Sequence, residues 1–390
     1  MHDQRERVSD APATGRTQFV ACAVMFAATS AYSMSFPVLA LFVERLTGHA
    51  SLLELGILVA AYSAGKMLSA PVAGRLVALR GPRRLLLVQM TLLIGASALW
   101  YCANSTSWLL LARFVLGVAG SASTPLRVIG ARALATKKAR EQFASRLTAA
   151  STAGFLGGPA IVLLVTALPQ AWCGFVPRAA PAMGGTVLGV VSALLVLATP
   201  SLDHDATTAT RAAAAATATA AAAAEEGATS RAALSAPPAP PTAPLWTKGS
   251  AAILLLQVAI AGPFASLEAT ITPLCALNYN WGASEASAVF TIGAFATLVA
   301  LALAPRAKGG RLRIALTICA MAGVLVVMAH IVVNTERWAN ARGAVAAPAP
   351  QLITGYVLYC VGYSIAQPGV WVLLYGSLYA HPRIGEVNAP

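Results

Sequence analysis

The sequence predicts an all-α membrane protein with ten transmembrane helices, and three observations carry that reading. Of its 390 residues 57% are hydrophobic and only 11% charged, whereas a soluble domain carries about 25% charged residues. That much apolar surface cannot be hidden inside one soluble core. The apolar residues fall in runs close to the roughly 20 that cross a bilayer as a helix, without the short alternation of a membrane barrel. The net charge of +13 sits in short clusters between these runs, as membrane topology requires. No nucleic-acid-binding module accompanies it, so nucleic acid is excluded as a partner.

The runs follow in order. A polar cytoplasmic tail, residues 1–17, leads into 18–43, too long for a secretory h-region of roughly 7–15 residues and therefore a retained span. Span two, 53–78, carries Lys66 near its middle and ends on "GRLVALRGPRR". Spans three (85–103) and four (108–131) are separated only by "CANSTSW", which makes them an antiparallel hairpin. Asn104 there opens a formal glycosylation sequon, in a loop so short that it is expected to be unmodified. Spans five (144–168) and six (180–199) complete an N-terminal six-helix bundle, 18–199. Residues 200–249 are an alanine/threonine tract running into a proline-rich segment. Alanine favours helix, but with no apolar face to dock, the segment is read as a low-complexity cytoplasmic linker. A C-terminal bundle, 250–390, holds spans 250–277, 285–304, 312–334 and 351–379.

Lysine and arginine set the orientation. Arg75, Arg80, Arg83 and Arg84 follow span two; Arg132, Lys137, Lys138, Arg140 and Arg146 follow span four; Arg306, Lys308, Arg311 and Arg313 follow span eight. The opposite connections hold only Arg45, Arg178, Arg337 and Arg342. The N-terminus and the even-numbered loops are accordingly cytoplasmic. The 6 cysteines are scattered singly with no CxxC spacing, so neither a zinc site nor a disulfide framework is indicated.

Charged residues inside spans are costly and usually face a cavity or a partner. Those well inside are Lys66, Arg113, Arg127 and Glu268. From Arg113, the positions Gly117, Gly120, Thr124 and Arg127 recur at helical spacing, which puts both arginines on one stripe of small residues. Gln257, Ala261, Glu268 and Cys275 share a face of span seven, and span ten adds Tyr356, Tyr363 and Gln367. The breaks Gly158-Pro159, Gly262-Pro263 and Pro368-Gly369 fall where transporter helices bend.

Several motifs resemble those of the major facilitator superfamily. "GRLVALRGPRR", with Gly74, Arg80, Gly81, Arg83 and Arg84, is similar to the loop signature after its second helix. "LLLARFVLGVAG" resembles its fourth-helix motif, with Arg113 at the arginine position, and "GFLGGP" partly matches the motif of helix five. More narrowly, "LGILVAAYSAGKMLSAPVAG", the stretch from Ala112 to Pro159 and "LEATITPLCALNYNW" look like the lysosomal and vacuolar branch. That branch contains the ceroid-lipofuscinosis lysosomal membrane protein and, more distantly, the SPX-linked vacuolar phosphate transporters. The loop signature departs at its acidic position, Ala78, and at the following basic one, Leu79. The resemblance implies a major-facilitator-type bundle of twelve helices, here ending after helix ten, with helices one, four, seven and ten lining the cavity.

The expected function is transport of a small, anionic solute by alternating access, in a lysosomal or vacuolar membrane. Three cations against one anion inside the spans favour the anion, and protons join the solute as partners if Glu268 titrates near lumenal pH. Membrane lipids are the remaining partner. No catalytic triad, metal cluster or phosphate loop points to an enzyme or a cofactor. The alternatives are an anion channel of the same fold and a truncated, non-transporting remnant with a binding role.

Overall fold

The computed structural model describes residues 13–48, 52–133, 137–169, 174–200, 202, 255, 270–276, 279–303, 322–323, 325 and 349–363. Among them every regular element is helical. Span one is two helices, α1 (Ala13–Ser33) and α2 (Phe36–Thr47). The cause is Pro37 at the start of α2, which has no N–H to donate and crowds the carbonyl four residues back. The chain recovers at Gly48, whose φ of 77° is a left-handed cap that glycine adopts without strain.

Span two is α3 (Leu52–Arg80) and span three is α4 (Pro82–Cys102). One residue joins them. Gly81 takes φ 82° and ψ 159°, a region open essentially to glycine alone, and Pro82 follows with its φ preset for a helix start. This accounts for Gly81 in the loop motif. Span four is again two helices, α5 (Thr106–Gly120) and α6 (Ser123–Ala133). Ser105 caps α5 by accepting from the Trp108 amide at 3.4 Å. Span five is α7 (Lys137–Thr166), span six α8 (Val176–Leu197) and span eight α9 (Ala283–Leu303). Helical backbone also covers 270–276 and 349–363.

Among the described residues 7 helices are long and apolar enough to cross a membrane, corresponding to spans one to six and eight. Most of spans seven and nine, the end of span ten and nearly all of the 200–249 linker lie outside the described residues. Two expectations need correction. Spans one and four are broken rather than continuous, and span five starts at Lys137, so its basic residues open a helix instead of lying in a loop.

The bundle of N-terminal helices packs as α1 on α7, α3 on α5 and α4 on α8, while α9 rests on α7 and α2. Its core includes Val24, Phe42, Leu58, Leu86, Met90, Leu93, Leu109 and Leu126. Glycines set the closest approaches. A Cβ on Gly158 would lie 2.6 Å from Ser30 O and 2.7 Å from Met34 N, so the helix-five motif brings α7 against the backbone of span one. Ser30 Oγ then donates to Gly154 O at 2.8 Å.

Arginines tie the helix ends. At the end holding the N-terminus, Arg83 donates to Val196 O at 3.3 Å and Leu197 O at 2.8 Å, and Arg16 donates to Ala198 O at 2.8 Å. These bonds bring positive charge and further donors to carbonyls at the negative end of the α8 dipole. At the opposite end Arg178 donates to Ala103 O at 2.8 Å and Asn104 Oδ1 at 2.6 Å.

Candidate functional site

Arg113 is among the largest fully buried side chains, at 0% exposure. A charge at the centre of a bilayer costs at least about 2.5–3.5 kcal/mol, and its surroundings answer that cost. Nε donates to Leu58 O at 3.2 Å and Nη1 to Ser35 Oγ at 2.5 Å. The guanidinium carbon lies 5.4 Å from the Tyr32 ring centroid and 5.5 Å from that of Tyr62. Those two rings stack at 3.8 Å and 18°. Cation–π attraction is strongest where water is excluded. Ser35 sits at the break in span one and gives its own proton to Tyr32 O at 2.7 Å, which leaves its oxygen to accept from Arg113. The Pro37 break thus supplies the acceptor that a continuous helix would not.

The stripe running from Arg113 is divided by the structure. Gly117 and Gly120 face Tyr62 on α3, and Gly65 of α3 faces Phe114 and Val118; the glycines form a packing seam between spans two and four. The helix then breaks at Ser121–Ala122, where buried Gln89 of α4 donates to Ser121 Oγ at 2.9 Å and Ser121 Oγ donates to Val118 O at 2.7 Å. Beyond the break Arg127 is half-buried, and its neighbour Val128 packs against Ala73 and Val77 of α3. Lys66, two turns away along α3, is exposed at the bundle surface. Arg113 and Lys66 therefore belong to different environments, one sealed within the bundle and the other open.

In the loop motif, Arg83 is engaged with α8, Arg80 and Arg84 are exposed, and a Cβ on Gly74 would meet nothing within 4 Å. Tyr363 is half-buried and stacks on Tyr359 at 5.9 Å. Gln257, Glu268 and Gln367 lie outside the described residues.

A feature that sequence reasoning missed is an aromatic seam joining span one and α7 to α9 and the 349–363 helix. Phe36 lies 5.1 Å from Phe155 and 6.0 Å from Phe290, and Phe290 lies 5.5 Å from Tyr356. Thr272 Oγ1 donates to Phe36 O at 2.7 Å, joining the 270–276 helix to the backbone beside the span-one break. A cleft lined by Phe36, Leu39, Leu55, Val59, Thr272 and Pro273 adjoins it. Phe36 follows the break and Leu55 opens α3, so the seam occupies the half of the bundle away from the N-terminus. Pro37 was the available signal, a proline inside an otherwise unbroken apolar run. His/Cys/Asp/Glu clusters fit to hold a metal are absent among the described residues.

Solved structures share this architecture. The human organic anion transporter MFSD10 (TETRAN) aligns over 95% of this chain and 91% of its own, with 17% identity and a TM-score of 0.55. The partially occluded, inward-open xylose transporter XylE from E. coli aligns over 95% and 88%, with 13% identity and a TM-score of 0.63. A bacterial homologue of the human lysosomal transporter Spinster, inward-facing and occupied, aligns over 97% and 78%, with 13% identity and a TM-score of 0.60. At such identities the likeness is one of fold. No curated protein sequence matches the chain significantly. Residues 21–384 match the Major Facilitator Superfamily, and the chain therefore belongs to that family of multi-pass membrane transporters, not to an enzyme class.

Proposed function

We propose that the protein moves a small anionic solute across a membrane by alternating access. The observation that carries the reading is the seam at Phe36, where, among the described residues, span one meets α9 and the 270–276 helix through aromatic contacts and a hydrogen bond from Thr272. Contacts of that kind can part without unfolding either half, as a rigid-body rocking mechanism needs. The anionic preference rests on Lys66 and Arg127, cations within apolar spans, Arg113 being engaged within the bundle. Glu268 is the proposed proton site. Ten spans, divided six and four by the 200–249 linker, complete the reading of the chain.

The branch motifs, and the fold likeness to a homologue of a lysosomal transporter, favour a lysosomal or vacuolar membrane. The N-terminus is cytoplasmic in this reading, and cysteines introduced at Thr208 and Lys138 on a cysteine-free chain should then react only with reagent on the cytoplasmic side. Labelling from the lumenal side would reverse the orientation. For function, Lys66→Met keeps the apolar stem and removes the charge. In reconstituted vesicles it should weaken uptake of labelled sulfate or succinate far more than it lowers folded yield. Unchanged uptake per folded protein would make Lys66 a packing residue.

A further inference from the structure

Spans one and four break by the same chemistry, but the two breaks are held with unequal strength. Pro125, in the first turn of α6, has no N–H to offer Ser121 O and its ring crowds that carbonyl, as Pro37 does to Ser33 O in span one. At each break a serine hydroxyl donates to the carbonyl three residues back: Ser121 Oγ to Val118 O and Ser35 Oγ to Tyr32 O, both at 2.7 Å. Each hydroxyl oxygen then accepts from a buried side chain of another helix. Ser35 accepts from Arg113 Nη1 at 2.5 Å, and Ser121 from Gln89 Nε2 at 2.9 Å. The Arg113 bond is charge-assisted, about twice as strong as a neutral one, and the same guanidinium also donates to Leu58 O. The Gln89 bond is neutral. Gln89 is 2% exposed, and its Oε1 is buried and accepts nothing among the described residues.

The Ser121 hydroxyl has a second acceptor within its reach. Val118 O also receives the Ser121 amide, at 3.2 Å, so the hydroxyl can leave it without stranding it. If the Gln89 amide reverses, Oε1 takes the hydroxyl proton that Val118 O gives up, and the exchange costs one neutral bond. The helix segments on either side are anchored differently. α5 sits on α3 backbone to backbone, Gly117 against Tyr62 and Gly65 against Phe114 and Val118. α6 is held through side chains, Val128 against Ala73 and Val77, and Phe143 of α7 against Gly130. We propose that span four bends reversibly at Ser121–Ala122, α6 swinging while α5 stays on α3, and that Gln89 is the latch of this hinge. The break in span one, held by a charge, stays fixed. Because α6 runs toward the end holding the N-terminus, that end of span four moves by itself. The inference goes beyond the transport reading and does not depend on the solute.

Hydrogen–deuterium exchange, read by mass spectrometry on the purified full chain in nanodiscs, tests the hinge with no solute present. Amides of residues 121–126 should exchange faster than those of 109–117. Gln89→Met keeps the length and the burial but cannot bond Ser121. It should speed exchange at 121–126 by about 2- to 10-fold, the loss of one neutral hydrogen bond, leave 109–117 unchanged, and unfold at or above the wild-type midpoint. Ser121→Ala should have the same local effect, and combining it with Gln89→Met should add nothing, since both remove one interaction. Ser121→Thr keeps the hydroxyl and should keep the wild-type rates. Ser35→Ala removes the acceptor of a charge-assisted bond and should lower the unfolding midpoint instead. Unchanged exchange at 121–126 in Gln89→Met would make the break static. Exchange raised equally in both segments, or additive effects of the two substitutions, would make Gln89 an ordinary packing group. Each of these results would overturn the latch.

Discussion

The glycine seam between spans two and four makes a sharp prediction, because it separates two glycines that look alike in sequence. A Cβ on Gly117 would lie 2.9 Å from Tyr62 C and nearer still to Tyr62 O, all backbone atoms. Ordinary carbon contacts need about 3.5–4.0 Å, so Gly117→Ala requires α3 and α5 to part by roughly 1 Å. Overpacking of this kind costs about 1–3 kcal/mol or more, against a helix-propensity gain of about 1 kcal/mol for replacing glycine with alanine. Gly74 stands in the same helix as the seam residue Gly65, but a Cβ there meets nothing within 4 Å. Gly74→Ala should thus gain about 0.5–1 kcal/mol. The two variants should differ by roughly 1–3 kcal/mol, which in a chain of this size is about 2–6 °C in apparent midpoint. Heating the detergent-purified variants and measuring the fraction that stays monomeric by size exclusion reads this directly. Equal midpoints would refute the close approach of α3 and α5.

Further predictions follow from the same contacts. Arg113→Lys keeps the charge but cannot reach both Leu58 O and Ser35 Oγ, and should destabilise the bundle by about 1–3 kcal/mol, the loss of a charged hydrogen bond; a midpoint unchanged from wild type would show that the fork geometry is idle. Arg83→Gln removes two bonds to the α8 carbonyls and should cost about 0.3–1 kcal/mol, more at low salt than at high salt; salt-independent loss would point to packing instead. Glu268→Gln mimics the protonated acid, so solute exchange in proteoliposomes should persist while accumulation driven by a pH gradient is lost. Accumulation that still follows the gradient would rule Glu268 out as the coupling site.

Much of the bundle was legible because run length and hydropathy act over a whole span, and the seven described spans fall where those runs lie. The breaks were not legible. A two-residue interruption such as Ser121–Ala122 leaves mean hydropathy unchanged, and only Pro37 offered a chemical cue for the one at Ser35. Arg113 was found from sequence because a charge in an apolar run is conspicuous. Its partners were not, since Leu58 and Ser35 are 55 and 78 residues away in the chain and are ordinary residues for a membrane helix. The stripe from Arg113 to Arg127 was misjudged for a related reason. Helical spacing assumes an unbroken helix, and the interruption held by Gln89 separates a sealed arginine from a half-buried one on α6. Gly81 was readable as a motif residue, but its reason, a one-residue turn at φ 82°, needed the backbone.

Alternating access of an anion is tested most directly by counterflow. Proteoliposomes holding the purified full chain are loaded with unlabelled sulfate or succinate and diluted into a trace of the labelled anion. Label should accumulate transiently above equilibrium, saturating with internal anion, because a carrier returns across the membrane only after binding from either side. Monotonic equilibration with unitary currents, or label movement no faster than in protein-free vesicles, would contradict it.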